Sequence, residues 1–203
     1  LHLSIRRQRQ MCIRDRNTTA VVTCALMALE KWFDEQIESG KSIVPVLDLI
    51  VAQGRSLAFA GVLVVIGKRH PQLFATELKP LLFHRVLYMH DVHAVNDDLG
   101  GGSGWFEGKV VRDHRQKWNQ LPGRRMHLKD MAVRWLLMKA ELTPVFAEVA
   151  ALWRADAEKL PPDSEDRLIL LRWASDFERA TWKEVTLPDG RRVWQNDRPA
   201  ELR

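Results

Sequence analysis

Three consecutive apolar stripes at helical spacing, each set off by a glycine or a serine, constrain this chain more than any other feature. Val22, Leu26, Leu29, Phe33 and Ile37 recur at intervals of three and four, which places them on one side of a helix. Asn17, Thr18 and Thr19 carry side chains that can accept from the first free N–H groups, and Gly40 supplies a stop. The spacing predicts a helix from Thr18 to Ser39. Ser42 opens a second helix, with Val46, Leu47, Ile50 and Val51 as its stripe and Gly54 at its end. Ser56 opens a third over Leu57 to Lys68. That segment is apolar nearly all round, so it must lie between neighbours. Its Ala58, Ala60 and Gly61 would admit another helix at close range. A short helix is expected from Gln72 to Leu78, and a longer one from Pro80 to about Val95.

The run Asn96-Asp97-Asp98-Leu99-Gly100-Gly101-Gly102-Ser103-Gly104 reads as a flexible break. Trp105 to Arg125 is irregular or weakly helical. Leu128, Met131, Ala132, Trp135 and Met138 then resume a helical stripe. Thr143-Pro144 reads as the cap and first residue of the next helix, which Val145, Val149, Leu152 and Trp153 continue. Pro161-Pro162 ends it, and Asp163 caps a last helix with Ile169, Leu170, Trp173, Ala174 and Phe177 on its buried face. Trp182 to Leu187 and Arg191 to Gln195 flank Pro188-Asp189-Gly190 as two short strands. A lone hairpin is marginal in water, so it should pack on the helices or pair with further sequence. The fold class is therefore mainly α: antiparallel helical hairpins in a HEAT- or armadillo-like array, with a short C-terminal β-hairpin. No clean fixed-period repeat is present. The organisation reads as 17–95 helical, 96–125 Gly-rich loop and irregular linker, 126–180 helical, and 181–203 hairpin and tail.

Residues 1–16 stand apart. Met11-Cys12-Ile13-Arg14-Asp15-Arg16 resembles one reading frame of the transposon end used to tag sequencing libraries. Arg6-Arg7-Gln8-Arg9-Gln10 is the in-frame translation of the adapter bases before it. Such segments are excluded before fold reasoning, so the native sequence is expected to start no earlier than Asn17 and to be a fragment. Arg6, Arg7, Arg9, Arg14 and Arg16 against Asp15 give this segment +4, so the formal +5 of the whole chain falls to +1. The basic balance that would suggest nucleic acid or an anionic membrane goes with it. Cys12 goes too. Cys24 is then alone, which makes an internal disulfide impossible and a reducing, cytoplasmic compartment the expectation. The run Leu57 to Ile66 is too short to span a bilayer.

The remaining motifs carry little chemistry. Gly40-Lys41-Ser42 looks like the end of a phosphate-binding loop, but that loop needs a glycine five positions earlier, where Glu35 stands within a helix. A helix stop followed by a helix cap is the expected reading, without ATP binding. His84, His90, Asp91 and His93 cluster before the Gly-rich break, with Asp97 and Asp98 beyond. His90 and His93 share a helix face, and Asp91 beside them suggests a metal-dependent hydrolase as an alternative function. His70, His114 and His127 add nothing by their spacing. Lys109, Arg112, His114, Arg115, Lys117, Trp118, Arg124 and Arg125 form a basic stretch that would follow phosphates in a second alternative, a nucleic-acid-binding module. Asp113 and Glu107 dilute it, and a solvated face is expected. Cys24 sits between Val21 and Met27 and reads as a buried structural cysteine.

Leu29-Glu30-Lys31-Trp32, Arg55 to Leu63, Gly67-Lys68-Arg69-His70-Pro71-Gln72-Leu73-Phe74 and Leu78-Lys79-Pro80-Leu81-Leu82 resemble the helical region downstream of the nucleotide-binding domain in large bacterial ATP-binding proteins. Those are similar to signal-transduction NTPases of the NACHT or STAND type. The resemblance covers Ala25 to Leu82 and contains no catalytic motif. It implies that ATP binding sits upstream. It also implies that this segment is a non-catalytic helical scaffold or sensor, with no catalytic, cofactor-binding or metal residues of its own. Its expected partners are the upstream domain of the same chain and another protein, not nucleic acid or membrane. The wide apolar arc of the first helix, with Ala25 and Trp32 on its flanks, predicts a second contact with an upstream helix.

Overall fold

The all-round apolar stretch read over Leu57 to Lys68 becomes the central helix of the first half of the chain. The computed structural model describes residues 20–54, 56–99, 113 and 116–202. They form two compact units, the first ending at Leu128 and the second beginning at Lys129. The first contains α1 (Ala20–Glu38), α2 (Val44–Gln53), α3 (Leu57–Arg69), two 3-10 turns (Pro71–Ala75 and Lys79–Phe83), α4 (Arg85–Leu99) and the short α5 (Pro122–Arg125). The second contains α6 (Leu128–Met138) from its second residue on, α7 (Thr143–Glu158), α8 (Glu165–Asp176) and an antiparallel hairpin of β1 (Trp182–Thr186) and β2 (Arg192–Asn196). The chain is thus mainly α with a short C-terminal β-hairpin. Among the described residues, no helix is long and apolar enough to cross a membrane.

α3 packs against α1, α4, α5 and the first 3-10 turn, which explains why its stripe is broad. Ser56 caps it by accepting from the Ala58 N–H at 3.2 Å. Val62, Leu63, Val64, Ile66, Gly67 and Lys68 are buried. α1 ends as its sequence requires: Gly40 adopts φ +71°, and its N–H donates to Ile37 at 2.9 Å. Gly67 is set by close approach. A Cβ there would stand 2.4 Å from the ring of Phe74, which is itself fully buried. Alanine is the better helix former by about 1 kcal/mol, but overpacking a filled core costs about 1–3 kcal/mol. Thermal denaturation of Gly67→Ala should therefore show a net loss of stability. A variant as stable as the parent would mean the ring yields freely.

Several expectations are corrected at the level of single residues. No continuous helix runs from Pro80. A 3-10 turn ends at Phe83, His84 is extended, and α4 begins at Arg85. The buried Tyr88 hydroxyl donates to the Leu82 carbonyl at 3.0 Å, so that carbonyl does not need a helical partner. Burial also pushes the Tyr88 phenol well above its ordinary pKa, which keeps it a neutral donor. α4 then runs through Asn96 to Leu99. Asparagine and aspartate only weaken a helix, and the first true breaker is Gly100. The Gly-rich run from Gly100 on lies outside the described residues. Cys24 is exposed, not buried. Met138, on the stripe of α6, is 69 % exposed, and Leu152 of α7 is 39 % exposed.

In the second unit, α7 and α8 pack through aromatics. Phe146 meets Phe177 edge-on at 5.2 Å between ring centres, and Trp153 lies 5.1 Å from Phe177 and 5.8 Å from Trp173. Thr143 and Pro144 both fall inside the first turn of α7, with Leu142 at the cap, and Ser164 rather than Asp163 precedes α8. Proline is tolerated there because that N–H has no helical acceptor. The hairpin does pack on the helices. Trp182 Nε1 donates to the Asp176 carbonyl at 2.9 Å, and Thr181 Oγ1 to the Ser175 carbonyl at 2.8 Å. The Asp176 carboxylate, buried at the end of α8, takes Lys129 at 2.7 Å, Asn196 at 2.9 Å and Arg198 at 3.0 Å.

Candidate functional site

Among the described residues, the first unit buries charge in two places, both against α3. Glu30 projects from α1 and is fully buried. Arg69 reaches it from the end of α3 at 2.5 Å, and Arg124 reaches it from α5 through a two-point contact. The Trp118 indole N–H points at the same carboxylate from 3.4 Å. One turn along α1, Asp34 takes the other end of Arg69 and the His70 ring at 3.1 Å. Burial raises the Asp34 pKa above its ordinary value, and the Arg69 charge only partly opposes that rise. Two arginines on one buried carboxylate tie α1, α3 and α5 together, since an arginine fork has donors enough to serve two partners.

The second buried pair is Lys68 of α3 with Asp91 of α4, 2.6 Å apart, with side chains 0 % and 4 % exposed. The Lys68 ammonium also donates to the Met126 carbonyl at 3.0 Å. The other oxygen of Asp91 accepts from the Leu128 N–H. Both carboxylate oxygens are therefore engaged, and the pair fixes the chain at Met126 and Leu128.

Between α1, α3 and α4 lies a half-open trough of about 550 Å³. Leu26 and Met27 of α1, Leu57, Ala58, Gly61 and Val65 of α3, and Ala94 and Val95 of α4 form its apolar walls. Lys68, His90, Asp91, Trp118, Asn119 and Arg124 form its polar part.

The residues singled out by sequence are dispersed by this arrangement. Asp91 is the counter-ion of Lys68. His90 is half-buried on the trough, while His84 and His93 are exposed. His70 pairs with Asp34, His127 is half-buried, and His114 lies outside the described residues. No side chain is described for Asp97 or Asp98. Among the described residues, no three His, Cys, Asp or Glu side chains are grouped to hold a metal ion. Of the basic stretch, Lys117 and Arg125 are exposed and Arg124 turns inward to Glu30. Lys109, Arg112, His114 and Arg115 lie outside the described residues. Gly40-Lys41-Ser42 is a turn between helices: Lys41 is exposed, and Ser42 Oγ accepts from the Val44 N–H at 3.3 Å.

Glu30 and Lys68 were not singled out by sequence. The signal was there for Glu30, which shares its helix face with Phe33 and Ile37. No protein-family model matches this chain, and neither the curated proteins nor the solved structures give a match.

Proposed function

We propose that this chain is a non-catalytic helical scaffold and sensor segment of a larger intracellular, NTPase-like protein. It works by packing and partner recognition, with its helical hairpins in a HEAT-like array. The observation that carries the reading is the outer face of α1. Val22, Ala25, Leu29 and Trp32 follow one another at helical spacing, and all but the half-buried Leu29 are exposed. The opposite face holds the buried Glu30 and Phe33. A helix that is apolar on both faces has a second packing partner, and the upstream domain of the same chain is the partner that fits. The engagement of Asp91 by Lys68 and Leu128 supports the same reading, because the acidic residue nearest the histidines is committed to structure.

The reading predicts that the chain by itself associates through this stripe. In sedimentation velocity, the average mass should rise with concentration. Ala25→Glu with Trp32→Glu should return it to a monomer without loss of helix content. A parent chain that stays monomeric at every concentration would contradict the proposal.

A further inference from the structure

We draw no further inference here: the strongest candidate, the half-open trough between α1, α3 and α4 around Gly61, carries none, because Lys68, Asp91 and Arg124 along it are already paired within the fold and nothing in the structure shows what covers its apolar walls.

Discussion

Glu30→Ala is expected to cost about 3–5 kcal/mol, the range for removing one partner of a buried ion pair, and to unfold much of the first unit. The loss is not that of one contact. Glu30 is fully buried, and Arg69 and Arg124 both converge on it. Removing it leaves two guanidiniums beside each other without their shared anion. Their side chains are 16 % and 17 % exposed, so water reaches them only slightly. Asp34 still holds Arg69, which limits the damage on that side. Arg124 loses its carboxylate contact, and α5 loses its tie to α1. A typical domain has about 5–15 kcal/mol of stability in all, so the change should be plain in chemical denaturation. Glu30→Gln keeps the shape and an acceptor, and should be destabilised less than Glu30→Ala but clearly more than an exposed control such as Glu38→Ala. If Glu30→Ala lost less than about 1 kcal/mol, an ordinary surface-scale effect, the convergence of the two arginines would not be what binds α1 to α3.

Sequence reasoning reached the elements and missed the charges, for a physical reason. Helix stripes and their punctuation are local. The stripe over Leu57 to Lys68 needs only spacing to be seen, and it gave α3 within one residue. Ser56, Gly40 and Gly54 act on their nearest neighbours, and each stands at the end of a helix as expected. The pairing of buried charges is not local. Glu30 meets Arg124 across 94 positions, and Lys68 meets Asp91 across 23. Nothing near Lys68 in sequence says that its ammonium is buried rather than extended into water. The reading of His90, Asp91 and His93 as a cluster followed from adjacency along the chain. On a helix, neighbouring residues point in different directions, and Asp91 points to α3 while His93 faces solvent. Cys24 was misplaced for a related reason. α1 has apolar residues on both faces, so an apolar neighbourhood in sequence did not reveal which side is covered.

The second large effect lies in the Lys68–Asp91 pair, and it tests the central claim that the buried ionisable groups of this unit serve packing. Lys68→Met strands a carboxylate that is 4 % exposed, and Asp91→Asn strands an ammonium that is fully covered. Each should cost about 3–5 kcal/mol. Such losses have a ceiling, because a stranded ion can neutralise itself. Protonating an ordinary aspartate at neutral pH costs about 4 kcal/mol, at roughly 1.4 kcal/mol per pH unit. The double variant Lys68→Met with Asp91→Asn removes both charges at once. The asparagine oxygen can still accept from the Leu128 N–H, as Asp91 does. A double-mutant cycle by urea denaturation is therefore the most direct measurement. The packing account predicts a double variant much more stable than the sum of the single losses, with a coupling of at least about 2 kcal/mol. Strictly additive losses, or an Asp91→Asn variant as stable as the parent, would contradict it and would show Asp91 to be held for something other than the fold.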